Sequence, residues 1–468
     1  MEFCFINNNA PLDRRAQKLV RHHAMKGKNT GKRHKRQHHK DELHVDRLAT
    51  DAKCSIEVAK GRPLVPKTAR NNIILPRNPF PGTELTYFTT SVPLTPSARY
   101  LFYEFHYEVS DKLYPRVFCR QSKELQSSWF ELVIRNPSIF HCAMAVTRAR
   151  ISHYQGYSAQ SLESKTHLIQ ALRLLRNDLE SNSTPQDSSI TVAISLAIYA
   201  NLSGSFSESR IHLLGLKHML EIRPGGLEML CQKAPEVGNK IRRTDLEIAL
   251  MTGTSTLFGS RQSTTPVIVP LYERMSCVAL PDSLSKACLE IRSAMMDVLA
   301  LCSYAGSAQL SAFQYQDLVI SISQRLCDYA PLNGERPSQP LDDVCQLGLL
   351  AFMSTFLSRP SEVHPTYFIL LSDLFRRRLE IFDNRLTYGQ FHDDPSLSLW
   401  LLFIYTISSP GYEECCQADS FVGEHIRALA TTLTLDTWED VEAHLSVYPW
   451  VAAFHDEPSK KLWDAVYK

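Results

Sequence analysis

Two stretches of this chain are too apolar to lie on a protein surface and too short to cross a bilayer. They are ITVAISLAIYANL (Ile190–Leu202) and LSLWLLFIYTI (Leu397–Ile407). A membrane-spanning helix needs about 20 such residues, so both are expected as buried core helices. Their surroundings follow the same period. In THLIQALRLLRNDLE, Leu168, Leu172, Leu175 and Leu179 recur at i, i+4, i+7 and i+11, one apolar stripe on a helix. No alternation of apolar and polar residues is long enough to argue for a sheet, and no repeat of fixed period is visible. The expected fold is all-α. With 468 residues, 44% hydrophobic and 21% charged, the chain can bury a large core, and length suggests two or three domains.

The chain divides into three parts by composition. Residues 1–40 form a basic arm. Residues 41–96 are proline-rich, with Pro63, Pro66, Pro76, Pro79, Pro81, Pro93 and Pro96 at short intervals, and are expected to be extended. Residues 97–468 read as a multi-helix domain. Within it, SESRIHLLGLKHMLEIRPGG (Ser207–Gly226) is the best-punctuated helix. Ser207 is the expected N-cap. Ile211, Leu214, His218 and Ile222 share one face, and Leu213, Leu216 and Leu220 another, so the helix is expected to be packed on both. Gly215 would admit a close neighbouring helix. Pro224 ends the helix, with Gly225 or Gly226 supplying a positive φ. Thr244 and Glu247 read as a capping box, and Pro458 as the first turn of a last helix. Others are expected from about 284, 308, 340, 363, 396 and 420.

From Arg14 to Lys40 the chain carries no acidic residue and eleven cations: Arg14, Arg15, Lys18, Arg21, Lys26, Lys28, Lys32, Arg33, Lys35, Arg36 and Lys40. The formal net charge of the whole chain is +2; taking away these eleven leaves −9 for everything else. A mildly acidic body thus carries a strongly basic arm. So little apolar content leaves the arm disordered when free. KRHK (Lys32–Lys35) fits a short nuclear-import pattern. The same cations can neutralise nucleic-acid phosphates; an inert solvated tail is the third reading. The arm has no aromatic residue, so single-strand base stacking finds no platform.

No enzyme motif survives inspection. Gly253 and Gly259 do not have phosphate-loop spacing, and neither G-x-S-x-G nor H-E-x-x-H occurs. The acidic pairs Asp342–Asp343 and Asp393–Asp394 read as helix N-termini. The twelve cysteines include no C-x2-C pair to seed a tetrahedral zinc site. Buried, reduced thiols are expected, with no catalytic residue, metal or cofactor. The opening MEFCFINNNAPLD has no basic stretch followed by an apolar one, so no secretory leader is expected.

The pieces in order resemble the family of fungal-specific transcription factor domains. The opening F-x-F-I-N followed by VRHHAM, the NPFPG segment (Asn78–Gly82) and the closing YPWVAAFHDEPSKKLWDAV are similar to family segments. HLLGLKHMLEIRPGG resembles the family signature through His212, Gly215, Leu216, Met219, Arg223, Gly225 and Gly226, with Pro224 intruding. RRTDLEIAL resembles its aspartate-bearing helix through Asp245. The resemblance implies an all-helical regulatory domain in the nucleus without catalysis. Many relatives carry a six-cysteine binuclear zinc cluster ahead of this domain, and this chain shows none. His212, Arg223 and Asp245 are expected to serve packing, capping and internal ion pairs.

The resulting expectation is a nuclear transcription-regulator-like protein acting through its helical domain and partners. Those partners are an import receptor and DNA, met through phosphates or through a DNA-binding partner protein. Two alternatives stay open: an all-helical enzyme or accessory protein of fungal secondary metabolism, and a cytosolic scaffold whose arm binds RNA.

Overall fold

A computed structural model describes residues 90–105, 114–119, 130–155, 160–182, 184–259, 279–307, 310–357, 368–387, 394–410, 412–417 and 420–467. All lie in the second of the chain's two units, Pro76–Lys468. The basic arm, the NPFPG segment, Asp393 and most of the proline-rich stretch fall outside the described residues.

The described residues are all-α. In chain order come α1 (Pro96–Tyr103), α2 (Pro137–Tyr154), α3 (Leu162–Ser181), α4 (Asp187–Leu202), α5 (Phe206–Ile222), α6 (Gly226–Lys233) and α7 (Pro235–Thr252). A 3-10 turn (Asp282–Lys286) leads to α8 (Leu289–Cys302), α9 (Ala312–Tyr329), α10 (Pro340–Leu357), α11 (Ile369–Thr387) and α12 (Pro395–Ser408). The chain closes with α13 (Tyr412–Cys415), α14 (Phe421–Leu433), α15 (Trp438–Leu445) and α16 (Ala452–Tyr467). Among the described residues no strand forms; a lone bridge joins Cys119 to Leu310. None of these helices is long and apolar enough to cross a membrane.

Local chemistry sets several starts. Thr95 accepts the N–H of Ala98 ahead of Pro96. Asn136 accepts from Ser138 and Ile139 ahead of Pro137. Ser311 and Gln314 form a reciprocal capping box on α9. Asp394 caps α12. Asp342 and Asp343 sit in the first turn of α10 and are both buried. Asp343 pairs with Arg336 at 2.6 Å and Arg378 at 3.1 Å, and Asp342 accepts the Cys288 N–H at 2.8 Å.

The two apolar runs became α4 and α12, both buried along nearly their whole length. α4 belongs to two cores at once. Val192 and Leu196 pack with α1 to α3, while Ile190, Ala193, Ile194 and Ala197 pack with α5 to α7. α7 does the same one step later. Val237, Ile241 and Ile248 join the second core, and Leu246, Ala249 and Leu250 face the large C-terminal one built on α8 to α16. A helix with no solvated face is the physical meaning of a sequence with no polar stripe.

Several local expectations are corrected. α5 begins at Phe206 rather than Ser207, and its N-cap position, Ser205, makes no side-chain cap. One face of α5 is buried, not two. Leu213, Leu216 and Leu220 are 0%, 0% and 3% exposed, against 65%, 47% and 51% for Ile211, Leu214 and Ile222. Gly215 faces open space, with nothing within 4 Å of an added β-carbon, so no helix approaches there. Thr244 and Glu247 lie inside α7: the Thr244 hydroxyl donates to the Lys240 carbonyl at 2.8 Å and Glu247 pairs with Arg243 at 2.8 Å. The true start is Pro235, a helix-compatible first residue nine positions earlier. Pro458 sits within α16, not at its start; its carbonyl accepts the Tyr412 hydroxyl at 2.7 Å. On α3, Leu168 and Leu175 face the core with Ala171, whereas Leu172 and Leu179 are exposed.

Candidate functional site

Three signature residues, Arg223, Gly225 and Gly226, lie where α5 turns into α6. Arg223 is extended, as the residue before a proline prefers. Gly225 and Gly226 follow with φ of 78° and 52°. Two successive positive φ values exclude ordinary side chains, and they reverse the chain so that α6 folds back on α5. α6 in turn lies against α7 so closely that a β-carbon on Gly238 would stand 2.5 Å from the Cys231 sulfur.

The other named residues take up distinct posts. Arg223 forms an ion pair with Asp187 at the start of α4. His212 sits partly buried on α5, and burial lowers its pKa. Asp245, on α7, is buried and accepts the backbone N–H of Leu257 at 3.0 Å and of Phe258 at 2.7 Å. Burial raises its carboxyl to about 6, against the pull of those two donors. Gly215 is the signature residue that stands apart, on the exposed face of α5.

Asp245 is one knot in a larger fastening. After α7 the loop through Gly253–Gly259 returns along α9. Thr256 donates through its N–H (2.8 Å) and hydroxyl to Asp328, and Gln324 donates to the Phe258 carbonyl at 3.2 Å. Gln324 also accepts from Arg242 at 3.0 Å. Arg242 completes the set by pairing with Asp317 and donating to the Ser321 hydroxyl at 2.7 Å. Arg242 and Asp317 are 4% and 7% exposed. Burial raises the Asp317 carboxyl, and Arg242 pulls it back down.

This pair escaped the sequence reading. Its trace is there: Asp317 lies in YQDLVIS, where the residues from Tyr315 to Ile320 are all buried. A charge inside such a run needs a buried partner. What the sequence does not show is that the partner lies 75 residues away.

Two cavities flank the Gly225–Gly226 turn. One, of about 500 Å³, is bordered by Arg223, Asp187, Asn136, Ser188 and Lys233. The other, of about 490 Å³, lies between α6, α7, the Phe258–Gly259 loop and the start of α9. Leu227, Cys231, Phe258 and Phe313 line it together with Arg242 and Asp317. The Cys231 thiol is pushed up to about 11 by burial. Among the described residues no three His, Cys, Asp or Glu side chains come together as metal ligands, and the nine described cysteines form no disulfide.

Comparison with curated proteins and with solved structures gives no match. Comparison with family models matches residues 100–246 to the fungal specific transcription factor domain. The match takes in about a third of the chain, from α1 to the middle of α7. It contains every signature position, from His212 to Asp245, and excludes the basic arm and the closing segment. Over residues 100–246, therefore, this chain matches the fungal specific transcription factor domain.

Proposed function

We propose that this protein is a nuclear regulator of transcription that works through contacts made by its helical body. The observation that carries the reading is the family match at residues 100–246. The eleven cations between Arg14 and Lys40, unbroken by any acid, support it from the other end of the chain. Such a run suits an import receptor and, in the nucleus, DNA phosphates. Phosphate contacts hold a protein on DNA without reading bases. Sequence selectivity on this reading belongs to a DNA-binding partner protein.

The test is a fluorescent fusion expressed in a fungal cell. Replacing Lys32, Arg33, Lys35 and Arg36 by Ala moves the signal from nucleus to cytoplasm. A foreign import signal added to that variant restores it, and chromatin mapping then finds discrete occupied loci that vanish when the partner is removed. A fusion cytoplasmic from the start sinks the reading.

A further inference from the structure

The cavity over Arg242 and Asp317 has a polar floor in an apolar box. Its walls are mainly Leu227, Cys231, Phe258 and Phe313, with Glu228, Asn239 and Gln314 also on its border. Its volume, about 490 Å³, falls in the ~300–1,000 Å³ range of small-molecule sites.

The floor is incompletely bonded. Arg242 makes four hydrogen bonds: Nε and Nη2 to the Gln324 carbonyl, Nη2 to Ser321, and Nη1 to Asp317 Oδ1. A guanidinium has five N–H groups, so these leave one on Nη1. The other carboxylate oxygen, Asp317 Oδ2, is buried and accepts no hydrogen bond. Leaving a buried carboxylate oxygen unmet costs more than an ordinary hydrogen bond returns. Among the described residues no donor reaches it, and Asp317 borders the cavity.

The charges narrow the occupant. Arg242 and Asp317 cancel one another. An anion would meet the unbonded carboxylate oxygen with Glu228 close by on the cavity wall. A cation would compete with Arg242 for Asp317 and leave the guanidinium buried without its counter-ion. A neutral group that donates to Oδ2 and accepts from Nη1 satisfies both, and a hydroxyl is the smallest that does so. The aromatic and aliphatic walls favour a molecule that is otherwise largely apolar.

We infer that this cavity is a binding site for a neutral, largely apolar small molecule carrying a hydroxyl, bound by Asp317 and Arg242 between α6, α7 and α9. The inference stands on the cavity and not on nuclear residence, and it is tested by binding alone.

The experiment titrates the purified full-length chain with 2-naphthol and 4-phenylphenol, each beside its methyl ether, by calorimetry and thermal shift. The phenols bind saturably, at one site, and roughly ten- to a hundred-fold more tightly than their ethers, the range that a hydrogen bond to a charged group supplies. Leu227→Trp, which fills the cavity from its partly exposed wall and leaves the ion pair intact, removes that binding without lowering the thermal midpoint of the unliganded chain. Asp317→Asn puts an amide N–H where Oδ2 stood, and the preference for phenol over ether disappears. No saturable binding by the parent chain overturns the inference. So does equal affinity for phenol and ether, or phenol binding undiminished in Leu227→Trp.

Discussion

Asp245 on α7 accepts the backbone N–H of Phe258 at 2.7 Å, which ties the loop beyond α7 back to the middle of the helix it has just left. The same carboxylate also accepts from Leu257. Two backbone donors that would otherwise be buried without partners are met by one side chain, at the expense of burying that side chain.

Removing the carboxylate exposes the balance. Asp245→Asn keeps one acceptor and turns a donor toward a donor, so it is expected to destabilise the fold by about 1–3 kcal/mol. The folded carboxyl is raised from 3.8 to about 6. A raised pKa means that its contribution is fully present below about pH 4 and is lost as pH rises through 6. Urea unfolding of both proteins checks this: the gap between them is wider at pH 4.5 than at pH 7.5. A gap that widens with pH instead would refute the assignment.

The two faces of α5 separate cleanly. Leu216→Ala opens a cavity in a filled core and is expected to cost ~2–5 kcal/mol. Leu214→Ala, on the exposed face, stays within ~0.5 kcal/mol of the parent. Chemical unfolding of the two single variants measures both values directly. A large loss at Leu214 would mean that the face is covered in solution.

His455 gives an acid-sensitive contact in the C-terminal core. It is fully buried, stacks on Phe352 with ring centres 5.0 Å apart, accepts the Val451 N–H through Nδ1 at 3.1 Å and meets the Thr355 hydroxyl through Nε2 at 3.1 Å. This arrangement fits the neutral ring, and burial lowers its pKa from 6.5 to about 3. Because the unfolded chain takes up the proton first, the contribution is complete above about pH 6.5 and is lost as pH falls toward 3. Between pH 6 and 5 this one group is expected to remove ~1.2 kcal/mol of stability. His455→Asn, which retains an acceptor for Val451, flattens that part of the curve; parallel curves would rule out His455 as its source.

DNA binding by the full chain is expected to be weak and indifferent to sequence, with Kd of roughly 10⁻⁴–10⁻⁶ M at physiological salt. Fluorescence anisotropy with two unrelated duplexes shows equal affinity, falling steeply as salt rises. Deleting residues 14–40 abolishes it and leaves the thermal midpoint unchanged. Tight, selective binding that survives this deletion would show that the helical body reads bases.

What the sequence displayed about the fold was its unmixed signals. The run from Ile190 to Leu202 has no polar stripe, and α4 has no solvated side. Pro224 and the glycines after it mark a true reversal. The readings that failed depended on one local pattern with two meanings. Thr244 and Glu247 have capping-box spacing, yet Thr244 bonds to the carbonyl four residues back, as a hydroxyl inside a helix does. Pro458 suits a first turn, but the helix had already begun at Ala452. Ile211, Leu214 and Ile222 repeat at helical spacing, and that spacing is silent on whether a neighbour exists to cover them. The site was harder still, because Arg242 and Asp317 meet only once α7 and α9 have packed.

The family segment stops at residue 246, inside a helix that continues to Thr252. Its last residues point in two directions: Asp245 holds a loop that has not yet been made, and Leu246 belongs to the C-terminal core. A fragment cut at that boundary would end in a truncated helix, with Arg242 stripped of Asp317 and Gln324. The smallest piece of this protein that can be expected to fold by itself is therefore set by α9 and what α9 rests on, and it is larger than the stretch that the family model matches.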